Sequence, residues 1–225
     1  MQDDTTERYG PGEAQPTLSE TTQQQESFLI AYGHAALVWA QVESTLCIYF
    51  RLITRMDSTM ARRVFYSATG FRSRTRMLKA AIGCPTTNFS SPIEGDFVRK
   101  AIRVAESYCE VRNRIAHDQI VCYGIPGHPQ AGQHVLVDGK YDRYLGDENP
   151  MTLAQLDTFH SNVSNLFVLL QLFVQRGQKE ESVELAEQYL QMLQKLPNPP
   201  LDQKLNHSDA ILLQSWTPTP FHIQN

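Results

Sequence analysis

Residues 92–118 read PIEGDFVRKAIRVAESYCEVRNRIAHD. Pro92 is a favoured first-turn residue, so a helix is expected to open there. Phe97, Ala101, Val104, Tyr108, Val111 and Ile115 then recur at spacings of four and three, which is one continuous apolar stripe. The pattern predicts a single long helix from Pro92 to about Asp118, with that stripe facing a core. At about 100° per residue, a second group lies beside and behind the first: Val98, Ile102, Ala105, Cys109, Arg112 and Ala116. Asn113 and His117 stand at its edge, one turn apart, and Arg114 is expected to point towards solvent. A helix on the outside of a monomer is polar on such a face. This one is apolar and small-sided, so both faces are expected to pack. The second face has two candidate neighbours, another helix of the same chain or the same helix of a second copy. A homodimer through this motif helix is the expectation, and isologous contact brings two copies of its C-terminal end together.

Outward from this helix the chain is mostly helical. Residues 1–20 contain Pro11, Gly12 and Pro16 among polar residues and read as a disordered arm. A first helix is expected from about Thr22 to Arg55, with Phe28, Ala31, Ala35, Val38, Val42, Leu46, Tyr49 and Ile53 at helical spacing. Asp57-Ser58 caps a second helix through Tyr66. A third follows Gly70 and stops at Gly83-Cys84-Pro85. After Asp118 the texture changes. Ile120–Tyr123 and Val135–Val137 read as short strands, and Asp138-Gly139 is a tight-turn signal before residues 140–144. Residues 124–132 are its irregular part. Thr152 caps a helix that ends near Gly177, and residues 182–196 form another that Pro197 terminates. The expected fold class is all-α, a bundle of about five to six helices with a small β-hairpin insertion after the motif helix. One helical domain spans residues 21–196 with a β excursion at 119–145. Residues 197–225 are a C-terminal tail that packs through Leu212, Leu213, Trp216 and Phe221.

With 41% hydrophobic and 20% charged residues, the chain can bury a core. Its start is acidic and polar, without the pattern of a secretory signal. The run Leu166–Val174 is too short to cross a bilayer, so no membrane association and a cytoplasmic location are expected. Cys47, Cys84, Cys109 and Cys122 show neither CxxC nor zinc-ligand spacing and read as reduced packing thiols. No metal or other cofactor is expected. The net charge of −4 hides an asymmetry. Between Arg51 and Arg114 there are thirteen Lys/Arg against five Asp/Glu, or +8; the remainder carries seven against nineteen, or −12. A solvated helix surface accounts for such a zone, and so does a polyanion partner.

Arg112 and His117 are the candidate chemical pair. A guanidinium binds phosphate oxygens in bidentate fashion, and an imidazole exchanges protons near neutral pH. The same two residues near a helix C-terminus also simply offset the helix dipole. Glu43, one turn after Trp39 on the first helix, reaches Arg112 if the first and fourth helices are neighbours. His34 and His160 sit in helical patterns and read as ordinary helix residues.

The run Glu110-Val-Arg-Asn-Arg-Ile-Ala-His-Asp118 resembles the signature of HEPN domains, an arginine followed by a polar residue and then a histidine four to six positions on. Here Arg112, Asn113 and His117 occupy those places, late in a long helix, and the resemblance covers about residues 22–175. It implies a HEPN-like bundle and a homodimeric, metal-independent endoribonuclease leaving 2′,3′-cyclic phosphate and 5′-OH ends. Arg112 and His117 would be catalytic and Asn113 supporting. Arg62, Arg63, Arg72, Arg74, Arg76 and Lys79 are the candidate RNA backbone contacts. A toxin or defence role, with an antitoxin or regulatory protein as further partner, belongs to the same implication. Two other readings stand beside it: a non-catalytic HEPN-type interaction or nucleotide-binding module, and a helical protein that only binds RNA through the basic zone.

Overall fold

The computed structural model describes residues 18–84, 89, 92–123, 130–138, 150–176 and 183–199. Its described elements are seven helices and one two-stranded antiparallel sheet, an all-α bundle with a small hairpin. In chain order the helices are α1 (Leu18–Thr54), α2 (Ser58–Ser67), α3 (Phe71–Ile82), α4 (Pro92–Ser107), α5 (Cys109–His117), α6 (Leu153–Arg176) and α7 (Val183–Gln194). The strands β1 (Gln119–Cys122) and β2 (His134–Val137) lie between α5 and α6.

α1 is the central rod. It packs along α6 and also touches α2, α3, α5 and β2. Its inner face is the stripe expected from spacing: Phe28, Ala31, Ala35, Val38, Val42, Leu46 and Tyr49 are all buried. The helix starts at Leu18, four residues before the expected Thr22, so the N-terminal arm ends sooner; residues 1–17 lie outside the described set. Thr22–Thr54 is, among the described helices, long and apolar enough by length and composition to cross a membrane. Half of its most apolar stretch is buried inside the bundle, as befits a core helix.

Local chemistry sets the boundaries. Asp57 accepts hydrogen bonds from the N–H groups of Thr59 and Met60 and so caps α2. Thr152 and Gln155 cap α6 reciprocally. The Thr152 N–H donates to Gln155 Oε1 at 2.9 Å, and the Gln155 N–H donates to Thr152 Oγ1 at 3.4 Å. β1 pairs with β2 in a register that sets Ile120 opposite Leu136. Leu136 also exchanges two backbone hydrogen bonds with Met151, which ties the hairpin to the start of α6. Alternation divides β2: Leu136 enters the main core, while Val135 and Val137 join Tyr123 in a small cluster of their own. Residues 140–144 after the expected tight turn, most of the irregular stretch 124–132 and the tail contacts through Leu212, Leu213, Trp216 and Phe221 fall outside the described residues.

The expected single helix 92–118 is two. Ser107 Oγ donates to the Val104 carbonyl at 2.7 Å, the acceptor that the Tyr108 N–H would use in an unbroken α-helix. The Tyr108 N–H turns instead to Ala105, a tighter three-residue step, and α5 restarts with the Arg112 N–H bonding back to Tyr108. Tyr108 is fully buried, meets Phe159 edge-on at 5.9 Å and donates its hydroxyl to the Pro197 carbonyl.

The second apolar face of this region is covered within the chain. α4 packs against α3, α6 and α7, and Val98, Ile102, Ala105 and Cys109 are buried without any second copy. Phe97 stacks on Phe173 of α6 at 3.9 Å with the rings nearly parallel. The four cysteines are free thiols: Cys47 and Cys109 are buried, but Cys84 and Cys122 are exposed, so the packing role holds for only two of them.

Candidate functional site

The restart at Tyr108 aims α5. Val111 and Ile115 go into the core, and the first helix lies alongside. The remaining α5 side chains divide into an inward arginine and an outward edge.

Arg112 is half-buried and turned towards α1. Its guanidinium donates to Glu43 Oε1 at 3.4 Å and to Asn113 Oδ1 at 3.3 Å. The helices carrying Glu43 and Arg112 are therefore neighbours, as the sequence reading required for this contact. Glu43 is nearly enclosed, at 7% exposure. Three donors hold it there. Trp39 Nε1–H donates to Oε1 at 2.7 Å, Arg74 bonds Oε2 at 2.5 Å, and Arg112 completes the set. A carboxylate at this depth needs such partners, because burying its charge without them costs on the order of several kcal/mol. Trp39 is itself fixed by Phe71 edge-on at 4.8 Å.

Arg74 was expected on an RNA-facing surface, and here the structure corrects the sequence. Its side chain is 17% exposed, lies over the Tyr66 ring at 4.9 Å and ends on Glu43. The cause is helical phase: α3 buries Phe71, Thr75 and Leu78, and Arg74 falls next to that stripe. Arg74 Nε is buried with no hydrogen-bond partner among the described residues. The other five basic candidates are exposed: Arg62 and Arg63 on α2, and Arg72, Arg76 and Lys79 on α3. Lys79 is held by Glu106 of α4 at 2.6 Å, so its charge is locally balanced.

Arg114, expected in solvent, is half-buried. It donates to Asp118 Oδ2 at 2.7 Å and to the Leu136 carbonyl at 3.2 Å, so it fastens the end of α5 to β2. Asn113, Ala116 and His117 are exposed. His117 makes no hydrogen bond or ion pair among the described residues, and none joins it to Arg112. On one helix the two residues stand about 140° apart, which explains why one turns inward and the other out.

Sequence reasoning passed over one pairing. His34 of α1 and His160 of α6 face each other, ring centroids 5.4 Å apart. Burial, then the neighbouring His34, hold the His160 imidazole below its ordinary pKa. The packing of α1 on α6 creates this pair, and 125 intervening residues hide it from any local pattern. No group of three or more His, Cys, Asp or Glu side chains among the described residues is arranged to hold a metal ion. No family model, curated protein or solved structure matches this chain. The HEPN resemblance thus stands on residues 110–118 and their setting.

Proposed function

We propose that the chain is a metal-independent endoribonuclease of HEPN type, working as a homodimer in the cytoplasm. The observation that carries this reading is the division of labour on α5. Arg112 is held by a buried carboxylate, while His117, the last residue of α5, is exposed and its side chain makes no bond among the described residues. An exposed imidazole with no structural employment, on the same short helix as a positioned guanidinium, is a candidate for proton transfer at a bound phosphate. In the reaction, His117 as base takes the proton from an RNA 2′-OH. The 2′-oxygen attacks the adjacent phosphorus, the P–O5′ bond breaks, and an acid protonates the departing 5′-oxygen. The products are a 2′,3′-cyclic phosphate and a 5′-OH. Arg112 offers its remaining N–H groups to the phosphoryl oxygens as charge builds on them, and Asn113, one turn from His117, orients the imidazole or bonds a phosphate.

The α5 motif offers one imidazole per chain, so a second copy supplies the other. The α4 half of the motif region is occupied within the chain, which leaves the exposed end of α5 for this contact. α1 presents a further outer face. From Ser27 to Phe50 that face carries Leu29, Ile30, Gly33, Leu37 and Ala40 exposed, and its sole charged residue, Glu43, is buried. A charge-free helix face of this length suits an isologous contact. A toxin or defence role with an antitoxin partner follows from the same reading.

The test is RNA cleavage in EDTA, wild type against His117→Ala, with the ends identified chemically. Cleavage to cyclic-phosphate ends that vanishes in the variant supports the proposal. A folded dimer that leaves several RNAs intact sinks it. A second reading, a non-catalytic interaction or nucleotide-binding module, is favoured by the engagement of Arg112 with Glu43, which is also how a purely structural arginine behaves. It requires that His117→Ala change ligand affinity while any trace of RNA cleavage stays the same.

A further inference from the structure

Between α1 and α2 lies a hollow of about 230 Å³ lined by Ser44, Cys47, Arg51, Ser58, Arg62 and Tyr66, among others. We propose that this hollow binds a phosphate ester group, with Arg51 and Arg62 as its cations and Ser44, Ser58 and Tyr66 as hydroxyl partners. The inference is separate from catalysis and holds whether or not the α5 motif cleaves RNA.

Charge is the first argument. Neither Arg51 nor Arg62 forms an ion pair among the described residues. Two carboxylates of this region are already engaged: Glu43 of α1 holds Arg74 and Arg112, and Asp57 caps α2. Two guanidiniums sharing one hollow repel each other, and an anion between them relieves that repulsion. Their fields do converge. Burial pushes the Cys47 thiol above its ordinary pKa, and Arg62 and then Arg51 draw it back, so both act on one point in the wall.

Shape and donor number are the second. A water takes about 30 Å³ of liquid volume, so the hollow holds the equivalent of roughly eight. That suits a phosphate with part of its sugar and falls short of the roughly 300 Å³ at which pockets for drug-sized ligands begin. Two guanidinium forks and three hydroxyls offer more donors than the two oxygens of a carboxylate can use, and match a phosphate better. Tyr66 links this hollow to the motif site, since the Arg74 guanidinium bound to Glu43 lies over its ring.

Calorimetric titration of the full chain at low salt tests the proposal. The probes are inorganic phosphate, uridine 5′-monophosphate, uridine, and a short single-stranded oligouridylate. Binding of the phosphate-bearing probes and not of uridine is expected. Arg51→Ala and Arg62→Ala should each weaken it about tenfold or more, since each removes a charged hydrogen bond. Arg62→Lys should retain part of the affinity, and Arg103→Ala, an exposed residue of α4 outside the lining, should retain all of it. Melting curves establish that each variant is folded, and Tyr66→Phe provides a further lining variant. Tighter binding of the oligonucleotide than of the mononucleotide assigns the phosphate to an RNA strand; equal binding assigns it to a free nucleotide. Binding of uridine as strong as its monophosphate, no binding of any phosphate probe, or undiminished affinity in both alanine variants overturns it.

Discussion

Glu43 of α1 accepts a hydrogen bond from Arg112 of α5 across 69 positions of sequence, and its other carboxylate oxygen takes Arg74 of α3. One buried anion thereby gathers two arginines from separate helices. Removing it leaves two half-buried cations without a counter-charge. Glu43→Ala should therefore destabilise the fold by roughly 3 kcal/mol, a figure typical of breaking one side of a buried pair. Arg112→Ala should cost less, because Glu43 keeps its bonds to Arg74 and Trp39. Urea unfolding of both variants checks the order; equal losses would show that Arg112 matters as much to the fold as Glu43 does.

His117 should behave in the opposite way. It is exposed and bonds nothing among the described residues, so His117→Ala should change stability by no more than about 0.5 kcal/mol. Thermal melting measures this on the same preparation used for RNA cleavage. A large drop in melting temperature would return the residue to a structural role.

Tyr108 marks the junction of α4 and α5 and donates to the Pro197 carbonyl. Tyr108→Phe keeps the ring and removes the hydroxyl, which leaves that carbonyl without its donor. A loss of about 1 kcal/mol is expected, from chemical denaturation. Ser107→Ala frees the Val104 carbonyl and should straighten the junction. Amide exchange at Tyr108 should then slow if its N–H returns to Val104; unchanged exchange would mean that packing of the buried ring, and not the serine, causes the break.

The His34–His160 pair gives a pH dependence. The folded-state pKa of His160 is lowered, by burial first and His34 second, so the folded protein binds a proton there less readily than the unfolded chain does. Its contribution to stability is present above the unfolded value of about 6.5 and is lost as pH falls through the lower folded value. The melting temperature should therefore drop below about pH 6.5. His160→Gln should make that drop shallower. An identical profile in the variant would show that other groups set the acid limb.

A basic zone on charged helices is legible in sequence, but which of its members face outward is not. Arg72, Arg76 and Lys79 are exposed as expected, whereas Arg74, in the middle of the same run, turns inward to Glu43. The count of charges was right and the partner of one of them was wrong. The same holds on α5, where Arg114 proved to fasten the helix to β2 at the Leu136 carbonyl.

The amino-acid sequence by itself determined the helices, their inner faces and the hairpin, because helical spacing, caps and turn residues are local and act within a few positions. It also set Arg112 and His117 five residues apart, so that they do not share one stripe, although both were expected on or at the edge of the second packed face. The tertiary structure decided the rest. Packing of α1 against α5 and α3 chose Glu43 as the shared partner of Arg112 and Arg74, and packing of α4 against α3, α6 and α7 covered the face that a second copy had been expected to cover. A single Ser107 hydroxyl and a buried Tyr108 divided one predicted helix into two. The first two outcomes depend on contacts between residues far apart in the chain, and the third joins the local Ser107–Val104 bond to the distant packing of Tyr108 on Phe159 and Pro197, whose energies no local pattern contains.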